Sequence, residues 1–439
     1  MERNGLALEV LSAQEGFAFL ESVGGIAAYR LVANGLNVLL MPQNTVPVVA
    51  FMITYHVGSR NEPTGLTGAT HMLEHLMFKG TTRFHKAKGT SVFQVLQRVG
   101  AQVNATTWLD RTNYYALLPR EHLSLAIEIE ADRMRGALLL PEDVEAERTV
   151  ILNEMDRSEN DPLRNLYQAV WSVAFVAHPY RHPTIGWRSD VEHMTAEALR
   201  HFYDTFYWPN NATVSIIGDF EPEEALKLVR QHFEPIARSP HPIPPVWTQE
   251  PVQRGERRLV LRQAGELGIV MVAFKSPVGL DLDADALDVL AVILSHGRNS
   301  RLYRKLTDTG RTLSVTATNE RHRDPALFYI VARLAPGVTH AEVEGILLEE
   351  LAQVAAYGVS EEELVRAQTQ LAALEAYGRD GPFAIAAQLN EAIAIGDWKL
   401  YATYLDRIAC VTASDIQRVA QAYLTEAART VGWYIPQTA

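Results

Sequence analysis

Residues 194–218 read MTAEALRHFYDTFYWPNNATVSIIG, and residues 411–435 repeat the pattern as VTASDIQRVAQAYLTEAARTVGWYI. Each stretch has a threonine at its second position, a residue type that caps helix N-termini, and continues with a helical pattern. A short turn and a β-rich run follow in both. Because each stretch lies near the end of one half of the chain, the sequence predicts a duplicated α+β domain.

Strand-like runs rich in Val, Ile and Leu alternate with helical patterns along the chain. Strands are predicted at residues 27–41 and 47–57. Helices are predicted at residues 68–77, 89–99, 122–134 and 141–157. The last of these opens with Pro-Glu-Asp, which suits a first helical turn because proline needs no donor there and acids favour the positive end of the helix dipole.

A proline-rich stretch separates the two halves. Its prolines are Pro235, Pro240, Pro242, Pro244, Pro245 and Pro251. Clustered prolines disfavour helix and sheet and form semi-rigid tethers. The sequence therefore predicts an N-terminal domain at residues 1–236, a linker at 237–254 and a homologous C-terminal domain at 255–439.

Composition narrows the functional class. The 439 residues carry a net charge of -12, which repels phosphate backbones and argues against nucleic acid as a partner. Cys410 is the only cysteine, so an internal disulfide and a cysteine-rich zinc site are excluded. No apolar run is long enough to predict a membrane span. The compartment is left open: cytoplasmic if the chain is complete, periplasmic if a signal peptide has been removed.

Residues 71–75 read His-Met-Leu-Glu-His. On a helix, residues i and i+4 lie on one face, so His71 and His75 can converge on one metal ion. Glu74 lies three residues after His71 and can sit beside the metal to accept a proton from bound water. The alternative is a solvated helix face, since short motifs match by chance.

A catalytic zinc usually has three protein ligands and one open position. The helix at residues 141–157 offers Glu147 and Glu154, seven residues apart and therefore on one face. One could bind the metal while the other holds a ligand histidine. Spacing alone leaves Glu145 and Glu142 open as the third ligand.

These motifs resemble the inverzincins of the pitrilysin–insulinase superfamily, and by size its mitochondrial-processing-peptidase-like subfamily of bacterial catalytic subunits. Three further segments look similar: Gly-Leu-Thr-Gly-Ala-Thr before His71; Asn104-Ala105-Thr106 with Asp110, Thr112 and Tyr114; and His178-Pro179-Tyr180 with Gly186. The resemblance implies two homologous domains, each a mostly antiparallel sheet covered by helices. It also selects Glu154 as the zinc ligand and Glu147 as the support for a ligand histidine.

The implied activity is zinc-dependent endopeptidase action on peptides or unfolded segments, with one zinc per chain and Glu74 as general base. The resemblance further implies that substrate adds a strand to a sheet edge. We expect that edge at Asn104, Ala105, Thr106 and Thr107; the alternative is a buried strand.

One departure from the family pattern concerns the second half. Relatives there carry an Arg and a Tyr seven residues apart that contact the substrate carbonyl and its oxyanion. Alignment places Thr307 and Ser314 at those positions, and both are too short for the role. We therefore expect a heterodimer whose homologous partner supplies the pair. A noncatalytic scaffold or targeting subunit is the alternative function.

Overall fold

The computed structural model describes residues 15–437. Within them the chain forms two compact units that are not contiguous in sequence. Unit 1 comprises the residues up to Asn153, Pro183–Trp247 and Gly378–Ala402. Unit 2 comprises Glu154–His182, Thr248–Tyr377 and the residues from Thr403 onward. No helix among the described residues is long and apolar enough to cross a membrane.

The described residues form strands β1–β12 and, apart from short single-turn helices, helices α1–α14. The strands are β1 Phe17–Val23, β2 Ile26–Leu31, β3 Asn37–Pro42, β4 Val48–Tyr55, β5 Gln102–Thr107, β6 Thr112–Pro119, β7 Ala212–Gly218, β8 Arg257–Ala264, β9 Ile269–Lys275, β10 Thr312–Asn319, β11 Leu327–Leu334 and β12 Arg429–Gln437. The helices are α1 Ala69–Leu76, α2 Val92–Arg98, α3 Leu123–Gly136, α4 Pro141–Ser158, α5 Pro162–Ala174, α6 Arg188–His193, α7 Ala196–Phe206, α8 Pro222–Phe233, α9 Leu282–Ser295, α10 His340–Tyr357, α11 Glu361–Gly378, α12 Pro382–Ile395, α13 Leu400–Ala409 and α14 Ala413–Tyr423.

Unit 1 is built on a seven-stranded sheet in the order β1-β2-β3-β7-β4-β6-β5. All its neighbouring strands pair antiparallel except β3 and β7. Strand β7 is buried at every position and β4 at nearly every position, so both faces of the sheet centre are covered. At one end of the sheet, β5 pairs with β6 alone among the strands of residues 15–437, and its other edge is free of any of them.

Unit 2 is built on a five-stranded sheet in the order β10-β11-β9-β12-β8. Its single parallel pair is β12 with β8. The order and pairing directions match β5-β6-β4-β7-β3 of unit 1, strand for strand. The predicted α+β class with two homologous, mostly antiparallel domains is therefore confirmed.

The repeated sequence pattern corresponds to a helix followed by a strand in each unit. In unit 1 it forms α7 and β7, and in unit 2 it forms α14 and β12. The Thr195 side chain accepts a hydrogen bond from the amide of Ala198, and Thr412 accepts one from the amide of Asp415. Both helices thus begin at the predicted threonine caps.

Two helices depart from the contiguous division expected from the sequence. Helix α5 precedes the proline-rich stretch but packs on β8, β9 and β12 of unit 2. Helix α12 lies in the C-terminal half but packs on β4, β6 and β7 of unit 1. The boundary at Trp247 falls inside the predicted linker, whereas these two exchanged segments do not follow chain order.

One predicted element was wrong. Residues 27–41 form two strands, β2 and β3, rather than one. The chain reverses at Gly35, whose φ of 85° is left-handed: its amide donates to the Leu31 carbonyl over 2.8 Å, and the amide of Leu31 donates to the Leu36 carbonyl over 2.9 Å. The Asn34-Gly35 pair between the two apolar runs is a turn signal that the prediction of one strand overlooked.

Candidate metal centre

Helix α1 carries the two histidines and the intervening glutamate. His71 and His75 lie on one face, with ring centroids 4.8 Å apart. The helix starts after Gly68, whose φ of 88° belongs to the left-handed region. A Cβ there would come within 2.5 Å of the Ile185 carbonyl oxygen, so a side chain could not be accommodated. The opposite face anchors the helix through the buried residues Met72, Leu73 and Leu76.

Helix α4 brings a carboxylate to the same place. One ligand atom from each of His71, His75 and Glu154 lies within 4.8 Å of the other two. Among residues 15–437 this is the one group of three or more His, Cys, Asp or Glu side chains close enough to hold a metal ion. The unit boundary falls inside α4, after Asn153, so the helix that carries Glu154 is continuous with unit 1.

The other candidate glutamates of α4 lie elsewhere. Glu145 is 72% exposed and forms an ion pair with Arg148. Glu142 is exposed in the first turn of the helix. Neither belongs to the cluster, so the geometry favours Glu154 over both alternatives that the sequence left open.

Glu147 lies behind the histidine rather than in the cluster. Its Oε2 atom is 2.8 Å from Nδ1 of His75, and its Oε1 atom contacts Nζ of Lys79. The hydrogen bond with His75 holds the pKa of this carboxyl below its usual value, with Lys79 acting in the same direction against burial. With Nδ1 committed to Glu147, Nε2 of His75 is the nitrogen left to face a metal.

The donor set fits zinc. Two imidazole nitrogens and one carboxylate oxygen form a ligand combination found in catalytic zinc sites, which leave a fourth position for water. Ligands that each bind zinc at about 2.0–2.2 Å lie at most about 4 Å apart, close to the observed spread of 4.8 Å.

Glu74 is linked to the free edge of the sheet. Its Oε2 atom accepts a hydrogen bond of 2.6 Å from Oγ1 of Thr107, the last residue of β5. Along β5, Asn104 and Thr106 are exposed while Ala105 is buried, so the strand is not the fully buried alternative. The predicted proton acceptor and the predicted substrate edge are therefore in direct contact.

Two residues that support the site were not found from the sequence. Glu62 is 4% exposed and accepts hydrogen bonds from the amides of Gly68 and Thr70, at the start of α1. Burial raises the pKa of this carboxyl to about 8, against the opposing effect of those bonds. Arg111 donates to the carbonyl of Thr106 and pairs with Glu391 of the exchanged helix α12. A glycine at the N-cap of a predicted helix was the available signal for a cap supplied from elsewhere.

In unit 2, Thr307 and Ser314 stand at the positions where the family pattern has Arg and Tyr. Oγ1 of Thr307 lies 3.1 Å from Oγ1 of Thr312, and Ser314 is exposed on β10. Arg301, six residues before Thr307, binds Glu363 at 2.6 Å and Glu350 at 3.1 Å. These ion pairs occupy the guanidinium within its own unit.

The histidines of the His-Pro-Tyr-Arg-His-Pro run do not form a second metal centre. His178 is buried, with Nε2 3.0 Å from Asp324 and Nδ1 accepting from the amide of Tyr180. Because both ring nitrogens are used, His178 stabilises the loop in which it lies.

Residues 37–186 match the family described as "Insulinase (Peptidase family M16)", and residues 193–371 match "Peptidase M16 inactive domain". The chain is 30% identical over 405 residues to an uncharacterised zinc protease of Streptomyces coelicolor, covering 90% of this chain and 87% of that one.

Two further similarities involve Helicobacter pylori. The zinc protease PqqE of that organism is 28% identical over 408 residues, covering 92% of this chain and 91% of the relative. The crystal structure of a protease from Helicobacter pylori superposes with a TM-score of 0.89 at 27% identity, covering 94% of this chain and all of the other. The chain therefore belongs to the insulinase family of peptidases, family M16.

Proposed function

We propose that this chain is the zinc-bearing subunit of an endopeptidase that hydrolyses peptides or unfolded segments. The observation that carries the proposal is the cluster of His71, His75 and Glu154, with Glu74 on the same helix as the histidines. A noncatalytic scaffold has no need of a complete ligand set together with a proton acceptor beside it.

Each side chain has a role that its contacts support. His71, His75 and Glu154 would hold the zinc, which would supply a water of lowered pKa and polarise the scissile carbonyl. Glu74 accepts a proton from the attacking water and passes it to the leaving amine. Thr107 orients the Glu74 carboxylate by donating a hydrogen bond to Oε2.

The substrate class follows from the free edge of β5. An extended peptide can pair with the backbone of Asn104–Thr107, so affinity comes from main-chain hydrogen bonds with little demand on sequence. A peptide paired there would pass Thr107, whose hydroxyl contacts Glu74. Folded proteins offer few unpaired strands, so peptides and unfolded segments are the expected substrates.

The oxyanion contacts are assigned to a partner. Thr307 and Ser314 lack the reach of Arg and Tyr, and Arg301 is held by Glu350 and Glu363. A homologous subunit that carries the Arg and Tyr would complete the site. The working enzyme is then a heterodimer with one zinc in this chain.

The test is the substitution Glu74→Gln, which keeps the size of the side chain and removes its capacity to accept a proton. We expect one zinc per chain as in the wild type, and a loss of about 10²–10⁴-fold in turnover of an unstructured fluorogenic peptide. Glu142→Gln on α4 is the control and should change neither quantity.

Near-normal turnover by the Glu74→Gln chain would exclude Glu74 as the base. A wild-type chain that holds no stoichiometric zinc and cleaves no peptide, alone or in its native complex, would favour the scaffold function.

A further inference from the structure

A short segment between β4 and α1 contacts the metal helix. The segment ends at Glu62, whose carboxyl is buried. Both carboxyl oxygens accept hydrogen bonds from the start of α1: Oε2 from the amide of Gly68 at 2.8 Å, and Oε1 from the amide of Thr70 at 2.7 Å. Because Gly68 is the N-cap and has no side chain, the helix start depends on an acceptor from elsewhere. Glu62 supplies it from six residues upstream.

The other end of the segment holds the turn that follows the sheet edge. The amide of Ser59 donates to the carbonyl of Trp108 at 3.1 Å, and that of Arg60 donates to Leu109 at 2.9 Å. A Cβ at Gly58 would lie 2.4 Å from both carbonyl oxygens, so the approach is too close for any other residue. The segment therefore ties the turn after β5 to the start of α1.

This placement has a consequence for the chemistry. His71 is the third residue of α1 and lies in the turn that Glu62 caps. Glu74 lies one turn further and must stay in contact with Thr107, the residue directly before the turn that the segment holds. A frayed helix start would move both side chains relative to Glu154 and the sheet edge.

We infer that Glu62 is a positioning residue of the metal centre, which fixes the start of α1 so that His71 meets the zinc and Glu74 meets Thr107. The inference rests on the proposed function and adds a residue to it. Glu62 does not touch the metal or the substrate; it acts through the backbone of the helix.

The direct test is Glu62→Gln. Both carboxyl oxygens have acceptor capacity, whereas the amide nitrogen of glutamine has none, so one helix amide loses its partner. We expect zinc affinity, measured by chelator competition, to fall about tenfold, as for other groups that orient metal ligands. On a peptide substrate kcat should fall while KM stays within about twofold, since the β5 edge is unchanged.

The matched control is Asp190→Asn. Asp190 accepts from the hydroxyl of Thr67 at 2.7 Å and from its amide at 3.2 Å, so it holds the same loop without reaching the α1 amides. Chemical denaturation of the metal-free chains gives the stability loss of each variant. Asp190→Asn should lose stability with zinc affinity within about threefold of the wild type.

Glu62→Asp is the second test variant, for use if the glutamine variant does not fold. It keeps the carboxylate but is one methylene shorter, and we expect a smaller loss of zinc affinity in the same direction. Wild-type zinc affinity and kcat in a folded Glu62 variant would overturn the inference. Equal losses of zinc affinity in the Glu62 and Asp190 variants, in proportion to stability, would overturn it too. A wild-type chain without zinc affinity would instead refute the proposed function.

Discussion

Glu147 gives the most quantitative test of how the centre is built. The substitution Glu147→Gln leaves an oxygen that can still accept from Nδ1 of His75, so the orientation of the ring is retained. It removes the negative charge that faces both His75 and Lys79. The carboxyl is 6% exposed, so water replaces little of the lost interaction.

The expected magnitude follows from these contacts. A hydrogen bond to a charged group contributes about 1.5–3 kcal/mol and a neutral one about 0.5–1.5 kcal/mol. The difference for the His75 contact is roughly 1–1.5 kcal/mol, and each 1.4 kcal/mol is tenfold in affinity. We therefore expect zinc affinity to fall about tenfold, at the lower end of the range for groups that support metal ligands.

The assay is competition for zinc with a chelator of known affinity, on protein whose folding has been verified without metal. Glu145→Gln, on the exposed side of the same helix, is the control and should leave affinity unchanged. The reasoning is refuted if Glu147→Gln binds zinc within twofold of the wild type, or if the control loses as much.

Two further predictions concern the ligand set and the partner. Glu154→Gln should weaken zinc binding by more than Glu147→Gln does, since it removes a charged ligand. Full zinc occupancy of this variant at a modest chelator concentration would contradict the assignment of Glu154 as a ligand. The isolated chain should hydrolyse peptides weakly, and adding the homologous subunit should raise turnover by orders of magnitude, because one oxyanion donor alone is worth about 10²–10³ in kcat. Full activity from this chain, with no gain from any partner, would contradict the heterodimer.

The sequence predicted the candidate residues within one helix better than the contacts that other elements make with that helix. The helix with His71, Glu74 and His75 follows from spacing, because the i, i+4 relation needs no tertiary information. The choice of Glu154 as the third candidate ligand needed the family resemblance, since several glutamates of α4 have similar spacing. Glu62 was missed because a cap supplied from outside the helix leaves no periodic pattern.

The sheets show the same division between local and long-range information. The repeated helix–strand pattern predicted two related halves because a threonine cap and a β-rich run are both local signals. Periodicity does not say which sheet a helix covers, so the exchange of α5 and α12 could not be predicted. The contact between Arg111 and Glu391, which depends on that exchange, was hidden for the same reason.

The exchange of α12 has a consequence for the order of events during synthesis. The sheet of unit 1 is complete once β7 has left the ribosome, but the helix that packs on β4, β6 and β7 lies roughly 170 residues further along the chain. At a synthesis rate of about 5–20 residues per second, the surface that α12 later buries stays exposed for some 8–35 seconds.

Until α12 is synthesised, the sheet surface also lacks a buried hydrogen bond to that helix. The hydroxyl of Thr54 in β4 donates to Asn390 of α12 over 2.7 Å, and both residues are fully enclosed in the finished unit. Until α12 arrives, the centre of the sheet is open to aggregation or to a chaperone. A nascent chain stalled before residue 382 should therefore recruit chaperones and resist folding, although the proposed metal ligands have already been synthesised.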